Sequence, residues 1–308
     1  MDTTQGAPEL GETQRPAPVA QAPILYSDAL ASGFSRAQLR GRRFRHGPRS
    51  VYVPLAARRD FILGARSWLI VMPANAALFG VTAAQAYGLP VTPDSEYHVI
   101  VPAGGVVPRR RPGLVPHEGL LIDECGMVDG LRVTTPGRTF LDLASQVGRM
   151  ELVIVGDAMV RRGLTTVDEL RSVVAGVRRR RSIALAREAA GLVRPRVDSP
   201  SETRVRLIIV DNGLPCPETN VDVFDDHGGW IGRPDLAYLL LKLAIQYEGD
   251  VHRLEKRRWR ADVARDEVLL DHGWDVLRVT ARDLSHPDAL CHRIRLRMER
   301  QRQRLQVR

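Results

Sequence analysis

A break in the sequence pattern at residues 194–201, RPRVDSPS, divides the chain into two parts. Proline and serine concentrated between two patterned segments are typical of a linker. The part after the break has its own alternation of apolar and polar residues, and 308 residues are enough for two hydrophobic cores. We therefore expect separate structural units on either side of the break.

The charge balance points to a polyanionic partner. The chain has 45 basic and 36 acidic residues, a net charge of +9, and 43 of the basic residues are arginine. A net positive charge is typical of proteins that bind nucleic acid, although a basic surface that is only solvated gives the same balance. DNA is therefore the partner that the composition favours.

The N-terminus and the cysteines exclude several other classes of protein. Residues 1–22 are rich in Pro, Gln, Ala and Thr, and we expect them to be disordered. They lack the features of a secretory signal, and no apolar run reaches the roughly 20 residues of a membrane helix. Three scattered cysteines without a CxxC pair support neither a disulfide framework nor a zinc site. The sequence thus predicts a soluble cytoplasmic protein that does not span a membrane.

Residues 23–58 predict a winged helix. A short helix ends near Leu30, Gly33 supplies a turn, Ser35 caps a second helix over SRAQLRGRRF, and RHGPRSVYV forms a hairpin. In this layout the second helix enters the major groove and the hairpin meets phosphates. The alternative is a small docking subdomain whose arginines are only solvated. The candidate DNA contacts are Arg36, Arg40, Arg42, Arg43, Arg45 and Arg49, together with His46.

Residues 59–192 predict a mixed α/β middle region. Its expected elements are a helix within 73–89, a strand at 97–102, a strand and a helix within 131–144, and helices at 151–161 and 166–174. Arginine clusters at 109–111 and 178–181 are either solvated loops or binding patches.

Residues 199–308 predict an α/β sandwich with a central mixed sheet. The expected order is a helix at 201–214, strands at 218–225, 230–238 and 241–249, a helix at 255–273, a strand at 274–280 and a basic C-terminal helix. That basic helix is either a phosphate contact or a solvated end.

Carboxylates fall at the ends of these elements. Glu202 starts a helix, Asp235 begins a strand, and Glu248 ends the next strand two residues after Gln246, so that Gln246 and Glu248 share a face. If Asp235 lies on an adjacent strand, the side-chain oxygens of Asp235, Gln246 and Glu248 could hold a hard divalent cation such as Mg²⁺. The ion would activate a water molecule for phosphodiester cleavage. His252 follows as a candidate acid or base. For each residue the alternative is a structural role in a turn, a helix end or the surface.

The segments RPDLAY, IQYEGDVHR and RDEVLLDHGWDVLRVT resemble the PD-(D/E)XK nuclease superfamily, and within it the very-short-patch-repair endonucleases. The resemblance implies a restriction-endonuclease-like fold, Asp235 as the principal Mg²⁺ ligand and Glu202 as a direct or supporting one. It places Gln246 at the acidic position and Glu248 at the lysine position of the motif, and His252 as the histidine that assists cleavage. The chain departs from the pattern because Gln246 is neutral and the motif lysine is absent.

The first part of the chain resembles the AbiEi-type antitoxins. The resemblance rests on LYSDALASGFSRAQLRGRRFRHGPRSVYVP, NAALFGVTAAQAYGLP and VTTPGRTFLDLA. It implies a DNA-binding autorepressor that is paired with a nucleotidyltransferase toxin. Three hypotheses follow. The first is a DNA-binding protein with a nuclease-like domain that cleaves DNA with Mg²⁺. The second is a regulator or antitoxin whose nuclease-like fold only binds DNA, and the third is a scaffold that binds a toxin through the middle region.

Overall fold

The computed structural model describes residues 22–58, 60–249 and 266–306, and it confirms a mixed α/β architecture. Its strands form a three-stranded, a five-stranded, a four-stranded and a two-stranded sheet. The expectations for residues 1–21 and for the helix between 255 and 265 lie outside the described residues. Within those that are described, no helix is both long and apolar enough to cross a bilayer.

Residues 24–54 form a compact unit of two helices and a hairpin. Ser35 begins the second helix with a capping box, because its hydroxyl accepts the Gln38 N–H at 3.2 Å and the Gln38 side chain accepts the Ser35 N–H at 2.7 Å. That helix ends at Arg40, earlier than predicted, because Gly41 is extended. The elements are β1 Ile24–Leu25, α1 Tyr26–Ala31, α2 Arg36–Arg40, β2 Phe44–His46 and β3 Val51–Pro54, and the sheet order is β1-β3-β2.

Residues 61–192 contain the five-stranded sheet, in the order β6-β5-β4-β8-β7, and, after residue 135, helices that pack mainly against one another. The predicted strand at 97–102 is confirmed, but only the second half of the expected helix at 73–89 is helical. Ala77–Leu78 instead pairs with both β5 and β8, so strand pairing overrides the helix propensity of alanine. The elements are α3 Phe61–Leu69, β4 Ala77–Leu78, α4 Gly80–Ala86, β5 Tyr97–Pro102, β6 Leu114–Leu120, β7 Cys125–Val128, β8 Leu131–Thr134, α5 Pro136–Leu143, α6 Arg149–Arg161, α7 Val167–Gly176 and α8 Ile183–Leu192.

A buried carboxylate fixes the loop between α7 and α8 to this sheet unit. Asp142 on α5 is fully buried and pairs with Arg138 at 2.9 Å and with Arg180 from the loop. Burial outweighs the attraction of the two arginines and raises the pKa of Asp142 to about 6. The basic cluster at 178–181 is therefore anchored through Arg180, while its other three arginines are exposed.

Residues 200–306 contain the four-stranded sheet in the order β14-β13-β12-β9, in which only β13 and β14 are parallel. The strand expected at 230–238 is interrupted, because Pro234 has no N–H to donate to a ladder. The strand expected at 218–225 divides between two sheets. The elements are α9 Pro200–Asp211, β9 Glu218–Thr219, β10 Val223–Phe224, β11 Trp230–Gly232, β12 Leu236–Tyr238, β13 Leu243–Glu248, α10 at 266–271, β14 Asp275–Thr280, α11 Ala281–Leu284 and α12 Pro287–Gln306.

Helix α9 contributes to two hydrophobic cores. Leu207 packs in the core of the α5–α8 helices, whereas Val205 and Ile209 pack against the four-stranded sheet. Between these faces Arg206, fully buried, donates to Asp157 of α6 at 2.7 Å. The units on either side of the break are therefore joined by buried contacts.

The segment between α8 and α9 connects them as predicted, but it is packed. Its Val197 is buried, and the Arg194 N–H donates to Asp157 Oδ1 at 2.8 Å. Thr203 donates its hydroxyl to the other oxygen of that carboxylate at 2.7 Å. Asp157 therefore holds both the segment and α9.

Arg206→Met should lower the free energy of unfolding by about 3–5 kcal/mol, because it leaves a buried carboxylate without its cation. Urea denaturation followed by circular dichroism measures the loss. Arg171→Met is the matched control, since Arg171 pairs only at the surface with Asp168 at 3.9 Å, and should change stability by less than about 1 kcal/mol. Equal losses in the two variants would contradict a joining role for the buried pair.

Candidate functional site

Six arginines cover one small unit, residues 24–54, and we call them the arginine surface. Two lie on α2, two in the turn that follows it, one on β2 and one at the tip of the β2–β3 hairpin. All are exposed except the half-buried residue on β2. They are Arg36, Arg40, Arg42, Arg43, Arg45 and Arg49.

The arginine surface is not neutralised within the described part of the chain. None of its six side chains forms an ion pair or a side-chain hydrogen bond with another described residue. The unit has a single acidic residue, Asp28, against six arginines. An uncompensated cationic surface of this kind attracts a polyanion and binds it by releasing counterions.

The C-terminal helix α12 uses its arginines differently. Arg293 pairs with Asp283 at 2.5 Å, Arg297 pairs with Asp275, and Arg295 donates to the Asn212 carbonyl at 2.8 Å. These side chains attach the helix to its own domain. Among the expected phosphate contacts of this tail, Arg300 and Arg302 are exposed and have no ion pair to a described residue.

The structure places Asp235 next to strand β13, which was the condition for the predicted cation site. Leu236 pairs with Ile245 in the antiparallel ladder, which places Asp235 at the level of Gln246. The Tyr247 N–H donates to Asp235 Oδ2 at 2.8 Å. One oxygen of this carboxylate is therefore hydrogen-bonded to the neighbouring strand.

Glu202 is linked to Asp235 through a residue that the sequence analysis missed. Glu202 is 6% exposed, and its carboxylate accepts hydrogen bonds from the Asp198 N–H at 2.9 Å and from the side chain of the missed residue, Asn220, at 2.7 Å. The Asn220 N–H in turn donates to the Asp235 carbonyl at 2.9 Å. Burial raises the pKa of Glu202. Its contacts are those of a group that fixes the start of α9.

Glu248 lies beside a cation on the neighbouring strand. Arg278 of β14 approaches Glu248 at 3.5 Å and pairs with Asp266 of α10 at 2.7 Å. Nothing in the spacing of the motif signals this arginine. Its position follows only from the parallel pairing of β13 and β14, in which Gln246 faces Arg278.

The described residues of the predicted cation site are not arranged as a group of metal ligands. Among the described residues, no group of three or more His, Cys, Asp or Glu side chains is arranged to hold a metal ion. Asp235 and the neutral Gln246 are adjacent, but Glu202 is engaged with Asn220 and Glu248 lies beside Arg278. His252 lies outside the described residues. The donor set predicted for Mg²⁺ is thus incomplete, and the metal site stays a prediction.

Comparison with known proteins identifies the first part of the chain. Residues 75–194 match the AbiEi antitoxin C-terminal domain. Two proteins of Mycobacterium tuberculosis, "Uncharacterized protein MT2308" of strain CDC 1551 / Oshkosh and "Uncharacterized protein Rv2248" of strain ATCC 25618 / H37Rv, are each 30% identical over 259 residues. Each alignment covers 82% of this chain and 92% of the relative.

The chain therefore belongs to the family of these two mycobacterial proteins, and it carries an AbiEi-type antitoxin region. The antitoxin resemblance found in the sequence is confirmed over 75–194. The nuclease resemblance of residues 199–308 stays a prediction.

Proposed function

We propose that this protein is a DNA-binding transcriptional regulator of the antitoxin type. The observation that carries the proposal is the arginine surface, which has no acidic partner in the described structure and lies on the N-terminal side of the AbiEi-type region. Uncompensated arginines on a helix and an adjacent hairpin are suited to a duplex, since they reach base edges and phosphates from one side.

Within that surface the side chains take different roles. The Gln38 side chain is used in the capping box of α2. The two arginines of that helix, Arg36 and Arg40, are exposed and free to approach base edges. Arg49 lies at the hairpin tip with φ +42, and Arg45 lies on the strand leading to it. We assign this hairpin to the phosphate backbone, whereas α2 lies in the major groove.

Arg45→Ala and Arg49→Ala together should weaken binding to a duplex that carries the region upstream of the protein's own reading frame, because the hairpin that holds them is assigned to the phosphate backbone. Each lost phosphate contact should reduce the slope of log K against log salt by about 0.9. Fluorescence anisotropy at several salt concentrations measures both quantities. Arg132→Ala with Arg204→Ala removes the same charge from exposed positions outside the arginine surface and the basic tail, and is the matched control. Equal losses in both pairs, or binding that does not depend on salt, would contradict the assignment.

We further propose that the partner of the AbiEi-type region is a toxin, which its resemblance predicts to be a nucleotidyltransferase. An adjacent reading frame for such an enzyme supplies the test. Co-expression of this protein with the toxin should restore the growth that the toxin alone arrests. A shortened chain that ends before residue 75, and so lacks the AbiEi-type region, should fail to restore it. Growth arrest that this protein does not relieve would restrict its function to DNA binding.

Phosphodiester cleavage is the second candidate, and the observation that favours it is the adjacent placement of Asp235 and Gln246, with Glu202 linked to them through Asn220. Plasmid DNA incubated in Mg²⁺ and in EDTA tests it. Strand breaks that need the metal and disappear in Asp235→Asn would establish a nuclease. Because the described donor set is incomplete, we expect DNA binding without breaks.

A further inference from the structure

We propose that the segment between α7 and α8, residues 178–181, is a second contact for DNA phosphates, in which Arg180 fixes the segment and the other three arginines bind. We call this segment the arginine loop. The proposal rests on the DNA binding proposed above and extends it from residues 24–54 into the AbiEi-type region. It decides between the solvated loop and the binding patch that the sequence left open for this cluster.

Both ends of the arginine loop are fixed to neighbouring elements. Val177 and Ile183, which flank it, pack against the core of the α5–α8 helices. The Arg187 side chain of α8 donates to the Val174 carbonyl at 3.2 Å and to the Val177 carbonyl at 2.5 Å, and so ties α8 to the end of α7. The Ile183 N–H donates to the Arg180 carbonyl at 3.3 Å. The loop is therefore held at both ends by contacts of α7 and α8.

Arg180 holds the middle of the loop against the interior. Its guanidinium pairs with Asp142 of α5, which is fully buried and which Arg138 also approaches at 2.9 Å. The Arg180 side chain is only 26% exposed, so most of it lies inside the fold. Because an incompletely paired buried carboxylate is costly, this ion pair keeps Arg180 in place. Its role is to position the loop rather than to contact a ligand.

The remaining arginines of the loop, Arg178, Arg179 and Arg181, are exposed. None of them forms an ion pair or a side-chain hydrogen bond with another described residue. By contrast, Arg149 of α6 pairs with Asp211 at 3.0 Å. Three uncompensated cations within four positions attract a polyanion and bind it by releasing its counterions. Because the loop is already fixed, little further ordering of its backbone is needed on binding.

The surroundings of the arginine loop favour a phosphate backbone over an acidic protein. Residues 136–192 are all described, and none of their large apolar side chains is exposed. The large apolar side chains that are exposed among the described residues of the matched region all precede them, and they are Val106, Val107, Leu121 and Met127. A protein interface has an apolar centre, whereas phosphate contacts need only cations and hydrogen-bond donors. The partner that fits the loop is therefore the DNA backbone.

The test is the salt dependence of DNA binding by the full chain, measured by fluorescence anisotropy on two duplexes of equal length. One duplex carries the region upstream of the protein's own reading frame, and the other has an unrelated sequence. Arg178→Ala, Arg179→Ala and Arg181→Ala together should reduce the slope of log K against log salt by about 2.7, because about 0.9 is lost with each phosphate contact. Affinity should fall by the same factor on both duplexes, since phosphate contacts carry no sequence information.

Two control variants separate phosphate contact from other causes. Arg132→Ala, Arg204→Ala and Arg282→Ala together remove the same charge from exposed positions that have no ion pair to a described residue, and should leave the slope close to that of the wild type. The corresponding three Arg→Lys substitutions in the loop keep the charge and should keep the slope. Circular dichroism establishes that each variant is folded.

Arg180→Ala tests the positioning role. It removes the anchor of the loop but no phosphate contact, so affinity should fall by about two- to tenfold while the slope stays that of the wild type. Hydrogen exchange of the backbone amides at 178–182 should become faster. A slope that falls by about 0.9 would show that Arg180 itself contacts DNA, and would contradict its assignment as the anchor.

The outcomes separate this proposal from the proposed function. A loop alanine variant that binds both duplexes like the wild type would overturn the proposal, while a loss confined to Arg45→Ala with Arg49→Ala would leave the arginine surface as the DNA contact. A loss confined to the loop variant would exclude the arginine surface and support the arginine loop. A wild-type chain that binds neither duplex would overturn both.

Discussion

The buried pair of Asp157 and Arg206 is the interaction on which the arrangement of this molecule depends. Asp157 is 2% exposed and receives hydrogen bonds from the Arg206 guanidinium, the Thr203 hydroxyl and the Arg194 N–H. Each donor comes from α9 or from the segment before it. Because an unpaired buried charge is costly, the pair fixes α9 against α6 and thereby fixes the position of the C-terminal sheet.

Arginine has two separate uses in this chain, which its abundance in the sequence does not distinguish. In residues 24–54 five of the six arginines are exposed, and all six lack acidic partners among the described residues, so their charge is available to a ligand. In the C-terminal domain, Arg278, Arg293 and Arg297 are paired with carboxylates and contribute to packing. The net charge of the chain can therefore be interpreted in terms of function only when it is known which arginines form ion pairs with carboxylates.

Local signals in the sequence predicted local structure well. Ser35 was expected to cap the second helix and does begin α2, because capping preferences act over three or four residues. The strand and the helix expected within 131–144 are β8 and α5. Pairing over long separations was not predictable. The strand at Ala77–Leu78, the link from Asn220 to Glu202 and the approach of Arg278 to Glu248 arise only from tertiary contacts between distant segments. The candidate cation site was therefore predicted from spacing alone, without the neighbours that alter its charge.

The sharing of α9 between two cores limits how this architecture can be rearranged in evolution. The match to the antitoxin region ends at residue 194, yet Leu207 completes the hydrophobic core of that region from beyond this boundary. A recombination event that joined the region to another C-terminal module at residue 194 would leave a vacancy in its interior. An exchange of modules would therefore need to include α9 together with the antitoxin region. The segment that is inherited as one piece is thus longer than the matched residues 75–194.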